Sequence, residues 1–148
     1  MGRRALMNIA AFLSAPMTVQ MHALAALTAL ILGTVQLLAP KGTLPHRVMG
    51  WLWIGLMAVA ALSSFVFVWG PGFDGLGPIH ILSVATLLSL VTLVRAARKG
   101  QIRAHRSNAL WLFIAALVIT GAFTLLPGRL MHCVAFTAPG MACQLGGS

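Results

Sequence analysis

Residues 22–47 read HALAALTALILGTVQLLAPKGTLPHR, and residues 80–106 read HILSVATLLSLVTLVRAARKGQIRAHR. The two stretches share one frame. A histidine opens each, and Lys41-Gly42 or Lys99-Gly100 follows 19 residues later (41−22, 99−80). An aliphatic residue comes next, Leu44 or Ile102, and a His-Arg pair closes each copy, His46-Arg47 or His105-Arg106. The offset between copies is 58 residues as far as the aliphatic residue and 59 at the His-Arg pair, one insertion later. Four of the five histidines thus form two equivalent pairs, His22 with His80 and His46 with His105. A repeat of this kind sets equivalent residues opposite one another, so the histidines define a candidate site as well as a fold.

Between the histidines the chain is almost wholly apolar. The 148 residues are 59% hydrophobic and 7% charged, with a mean hydropathy of +0.96. A soluble domain carries roughly 25% charged residues, so the composition reads as an integral membrane protein of one domain, residues 1–148. The net charge of +9 raises nucleic acid as a partner. No basic groove with interleaved aromatics is present, however, and nucleic acid is set aside. Asp74 is the single acidic residue and tyrosine is absent, which excludes carboxylate pairs and carboxylate proton relays.

Four apolar runs reach the roughly 20 residues a bilayer requires. They lie near Met17–Leu38, Arg47–Trp69, Pro78–Val94 and Ser107–Leu126. Pro16, Pro45 and Pro78 suit first helical turns, while Gly100 and Pro127-Gly128 suit stops. The expected fold is an all-α, four-helix transmembrane bundle built from two tandem parallel two-helix repeats. Repeat one covers about 17–70 and repeat two about 76–128, and 129–148 form an extramembrane tail. Spans one and three then correspond, as do two and four, about an axis along the membrane normal.

Counting basic residues orients the bundle. Lys41, Arg47, Arg95, Arg98, Lys99, Arg103 and Arg106 lie on one side, against Arg3, Arg4 and Arg129 on the other. The positive-inside rule makes the first side cytoplasmic and both termini external, in a bacterial inner membrane. The first 15 residues are expected to lie on the membrane surface, a cleaved signal being the alternative. Small and polar residues mark the interior faces: His22, Ala26, Ala29, Gly33 and Gln36 on span one, and His46, Gly50, Trp53, Met57, Ala60 and Ser64 on span two.

An ionisable residue inside a membrane is a functional-site candidate. Neutral imidazole is the ligating form, and two rings facing across an axis suit a haem iron or a transition metal. Gly33 and Gly50 are candidates to leave room for a flat macrocycle. The competing account makes each histidine an amphipathic residue at headgroup depth, bonded to a carbonyl or a lipid phosphate.

The pattern resembles a family of small bacterial predicted membrane proteins defined only as a domain of unknown function. The matching residues are His22 with Gly33 and Gln36, Lys41–Thr43, His46-Arg47 with Gly50 and Trp53, Pro78-Ile79-His80, His105 and Pro127-Gly128-Arg129. They extend over about residues 18–129. In layout alone, the paired histidines are similar to transmembrane di-haem b-type cytochromes. That resemblance implies haem b, with His22 and His80 as one axial pair and His46 and His105 as the other. The second pair departs from it by lying at the very edge of its spans.

The expected function is therefore electron transfer through b-type haem, with a quinone or a redox protein as candidate partner besides the lipid bilayer. The alternative is a non-enzymatic accessory or scaffold protein whose histidines are structural or hold copper or zinc. Arg47 and Arg106 are candidates to pair with haem propionates or to snorkel to lipid phosphate. Gln20 and Gln36 are candidate quinone contacts or interhelical links. Asp74 belongs to a Gly-Pro-Gly-Phe-Asp-Gly turn, and Trp51, Trp53, Trp69 and Trp111 read mainly as interfacial anchors. In the tail, Cys133 and Cys143 are expected to form a disulfide, since external termini meet an oxidising compartment; with His132 they are otherwise an incomplete zinc set.

Overall fold

The computed structural model describes residues 9–66, 78–127 and 130–136. Seven α-helices appear among them: α1 (Ile9–Leu13), α2 (Met17–Leu38), α3 (Leu44–Val66), α4 (Pro78–Arg98), α5 (Ile102–Leu112), α6 (Thr120–Thr124) and α7 (Leu130–Phe136). A π-helical segment, Phe113–Ile119, joins α5 to α6. Four helical stretches are long and apolar enough to cross a membrane: α2, α3, His80–Arg98 and the continuous Ile102–Thr124. No strand occurs among the described residues. The molecule is an all-α bundle.

The spans pack in ring order. Helix α2 lies on α3, α3 on α4, α4 on α5, and the π segment returns to α2. Helices α2 and α4 thus face each other across the diagonal, as the repeat requires. The two turns at the same end carry the chain's repeat signature. Gly42 (φ 83°) and Gly100 (φ 67°) are the two positive-φ residues among those described, and each follows the lysine of its copy. That backbone region is open to glycine at little steric expense. After α4 the turn is a Schellman motif, with Gln101 N–H bonding Ala96 O at 2.9 Å and Gly100 N–H bonding Ala97 O at 3.1 Å.

Three boundaries differ from those read by hydropathy. Helix α3 begins at Leu44, not Arg47, because Thr43 Oγ1 accepts the His46 N–H at 3.4 Å and caps the first turn. Helix α4 runs past Val94 to Arg98. Arg95 and Arg98 sit in its last turn, where positive charge suits the helix dipole. The fourth span starts at Ile102 rather than Ser107, straight after the Gly100 turn. In each case the helix continues past the apolar run through polar and basic residues such as His46, Arg95, Arg98 and Arg103.

The core runs along the bundle axis through Ala29, Trp53, Met57, Leu90, Leu93, Leu112 and Leu117. Both expected interior faces are found there. On α2, Ala29 and Gly33 are buried and His22, Ala26 and Gln36 half-buried; on α3, Trp53, Met57, Ala60 and Ser64 are buried. Leucines, valines and isoleucines such as Leu27, Ile31, Leu52, Leu88 and Val118 cover the outside. At the end opposite the turns, α1 packs on α7. Gln20 Nε2 bonds Ala15 O at 2.8 Å and Leu13 O at 3.1 Å, fixing the α1–α2 corner.

Candidate functional site

In a bundle this poor in charge, a polar side chain within a span needs a partner from the protein. His22 finds two such partners on α3. Its Nδ1 lies 2.9 Å from Ala60 O and 3.0 Å from Ser63 Oγ. Ser63 in turn donates to Ala60 O at 3.0 Å. With the serine proton so engaged, both neighbours of Nδ1 act as acceptors. The network therefore assigns the imidazole proton to Nδ1 and the lone pair to Nε2.

His80, on α4, reaches the same turn of α3 from the other side. It is 4% exposed, and its ring is tilted against Phe65 with centroids 5.6 Å apart. One turn on, buried Ser83 Oγ lies 2.5 Å from Ser64 Oγ, which donates to Ala61 O at 2.6 Å. Imidazoles from α2 and α4 thus both reach the Ala60–Phe65 stretch of α3, and Ala60, Ala61 and Ser64 of that stretch are buried, as is Ser83 on α4.

At the turn end, His46 and His105 occupy the first turns of α3 and α5, within electrostatic reach of one another and of Lys41. His105 Nδ1 lies 3.2 Å from Leu93 O. His46 Nδ1 is buried with no hydrogen-bond partner, and so is Gln36 Oε1. Gln36 Nε2 donates to His46 O at 2.7 Å, so this glutamine is an interhelical link. Arg47 and Arg106 are exposed, and no hydrogen bond or ion pair among the described residues ties either to a histidine.

The room expected at the glycines is taken. A Cβ on Gly33 meets Trp53 Nε1 at 2.7 Å and the Phe113 ring at 2.8 and 2.9 Å. The Trp53 indole itself donates to Ala29 O at 3.0 Å. A Cβ on Gly50 meets Gln36 Nε2 at 3.2 Å. Both glycines serve close helix approach, and a flat ligand beside the turn-end pair has no slot here. Trp53 is likewise a core residue at 6% exposure, not an interfacial anchor.

Among the described residues, no three or more His, Cys, Asp or Glu side chains gather to hold a metal ion. Histidines in twos are what these helices offer. His132 is occupied elsewhere, its Nδ1 2.8 Å from Leu125 O and its ring 5.0 Å from that of Phe136. Asp74, Trp69, Cys143 and the side chain of Cys133 fall outside the described residues, and with them the disulfide. Sequence reasoning missed Ser63 and Ser83 beside the histidines, and Asn108, which bonds Thr92 Oγ1 at 2.6 Å and Ser89 O at 3.1 Å. The spacing held a hint: Ser83 follows His80, and Asn108 follows His105, by three residues, one helical turn.

A family model described as predicted membrane protein (DUF2306) matches residues 19–142. The chain belongs to that family. The DUF2306 match spans all four membrane-crossing helices and the four repeated histidines. Comparison of this DUF2306 protein with curated proteins and with solved structures returns no match.

Proposed function

We propose that this DUF2306 protein is a membrane electron carrier that holds b-type haem between His22 and His80, at the end of the bundle opposite its two turns. The observation that carries the reading is the anchoring of His22. A ligating histidine is ordinarily oriented by a hydrogen bond from its other ring nitrogen to a carbonyl, and His22 Nδ1 meets Ala60 O in that manner. Ser63 braces the same ring, while burial and Phe65 fix His80. Haem seated there supplies a one-electron couple, tuned by its axial ligands and by burial. The chain's own part is to orient two neutral imidazoles and to keep water and charge away from them.

His46 and His105 are the second candidate pair, for haem or for a copper or zinc ion, with the buried Nδ1 of His46 as the atom in want of a partner. Packing at Gly33 makes this the weaker haem seat. Arg47 and Arg106 then face the headgroups or, with haem bound, its propionates. The proposed setting is a bacterial inner membrane with both termini outside and electron exchange with a quinone or a redox protein. The same packing favours a second reading, a non-enzymatic accessory protein whose histidines tie helices together.

An absorbance spectrum of the detergent-purified protein, before and after dithionite, separates the two. A sharp Soret band that shifts on reduction, with resolved α and β bands, is expected, and His22→Ala and His80→Ala each abolish it. A featureless spectrum from cells supplied with haem overturns the cytochrome reading, as does a full signal in the purified His80→Ala protein. Metal analysis of the same sample then decides between copper or zinc and purely structural histidines.

A further inference from the structure

The turn end carries a feature that the histidines do not use. The last turns of α4 and the start of α5 enclose an open groove of about 510 Å³, lined among others by Thr92, Arg95, Lys99, Gln101, Asn108 and Trp111. Its floor is ordered, because Asn108 is already bonded to Thr92 and Ser89. Two of its lining residues are cationic, Arg95 and Lys99; residues 95–106 hold three more basic residues, Arg98, Arg103 and Arg106, and no acid. Arg95 and Lys99 are one helical turn apart and both exposed.

The repeat shows that the charge at Arg95 and Arg98 is not a requirement of the fold, whereas Lys99 has its match in Lys41. At the positions 58 residues before Arg95 and Arg98 stand Leu37 and Pro40 (95−58, 98−58), and the first hairpin turns equally well. Surplus charge with no acidic partner calls for an anion from outside. Its surroundings say which kind. Val91 and Leu110, both exposed, directly precede the lining residues Thr92 and Trp111 in the chain, and Trp111 is itself 67% exposed. A ligand here meets cations at one end and aliphatic surface at the other, with an indole at the boundary.

We infer that the α4–α5 groove binds an anionic membrane phospholipid, Arg95 and Lys99 taking its phosphate while the acyl chains lie along Val91 and Leu110. Basic recesses between membrane helices attract such headgroups, each Lys or Arg adding appreciably to the affinity. A soluble anion gains nothing from the aliphatic flank.

The test is native mass spectrometry of the full-length protein in detergent, titrated with phosphatidylglycerol or with phosphatidylcholine. The wild type is expected to retain phosphatidylglycerol preferentially, and Arg95→Gln/Lys99→Gln to lose retention by roughly tenfold or more. Lys41→Gln/Arg47→Gln removes the same charge from the companion turn and is expected to retain it. Equal losses in the two double variants reduce the effect to diffuse surface charge and overturn the site. So does indifference to the headgroup. Inorganic phosphate that displaces the lipid completely identifies a free-anion site instead. Unchanged thermal unfolding of the variants without added lipid confirms that they remain folded.

Discussion

The first hairpin, α2 with α3, and the second, α4 with the fourth span, descend from one pattern yet are held together differently. In the first, small residues bring backbones close: Ala29 and Gly33 on α2 receive Trp53 from α3, whose indole donates to the Ala29 carbonyl. In the second, Leu90 and Leu93 share one buried cluster with Leu112 and Leu117, and Asn108 supplies the polar link. Leu112 stands 59 residues after Trp53, but Leu117 stands 60 after Met57 (112−53, 117−57). The extra residue is absorbed by the π segment Phe113–Ile119. In an α-helix a residue five positions on is displaced by about 140°, whereas a π turn, bonded from i to i+5, returns it to nearly the same face. A repeat therefore keeps which elements touch and which end they share, while the means of contact drifts.

Removing one residue from each half tests this most severely. Deleting Ala58 from the regular helix α3 rotates everything beyond it by about 100° and takes Ala60, Ala61 and Ser64 off their contacts. We expect no folded protein from that deletion after detergent extraction. Deleting Ala115 removes the surplus residue of the π segment, leaves Leu112 and Leu117 four apart on one α-helical face, and is expected to give a folded protein. Monodispersity in size-exclusion chromatography and thermal unfolding compare the two. Equal collapse of both would mean that the π segment is not the register correction described above.

Gly33 sharpens the contrast at one position. A methyl group there enters the Trp53 indole and the Phe113 ring at under 3 Å, so Gly33→Ala is expected to destabilise by about 1–3 kcal/mol. Its repeat counterpart, Val91, is exposed on the lipid face, and Val91→Ala is expected to stay within about 0.5 kcal/mol of wild type. Unfolding in mixed micelles with increasing SDS measures both. A neutral Gly33→Ala protein would show that α2 and α3 separate easily and that space beside the turn-end histidines can open.

Much of the bundle was legible in the sequence because hydropathy, helix breakers and the repeat all pointed one way. The two Lys-Gly turns, the four spans and the interior stripes from His22 to Gln36 and from His46 to Ser64 follow from residue spacing alone. Span ends were misplaced wherever a helix runs on into the headgroup zone, as at Leu44, Arg98 and Ile102, since hydropathy reports solvent and not backbone bonding. The π segment left no trace, because Phe113–Ile119 is evenly apolar and one added residue changes no local preference. At the site, the histidine pairs could be read from their recurrence. Their serine partners could not, for a serine in a helix gives no sign of whether it bonds its own turn or a neighbour. The filled space at Gly33 was equally hidden, since a glycine records that something approaches and not what.

Ser64 and Ser83 are where the two halves meet beside the histidines, and they set the finest test of the comparison. Ser64 Oγ and Ser83 Oγ share a hydrogen bond between the helices, and Ser64 also bonds Ala61 O. Hydrogen bonds between helices in a membrane couple by about 0.6 kcal/mol on average, because the separated helices find other partners. A double-mutant cycle of Ser64→Ala and Ser83→Ala, read by the same SDS unfolding, is expected to give a coupling of that size. Such a value makes the serines modest struts that hold α4 and His80 in register against α3, with most of the joint resting on apolar contact. A coupling near zero would detach His80 from the frame that holds His22. The convergence of the two imidazoles on Ala60–Phe65 would then lack the support on which a shared ligand depends.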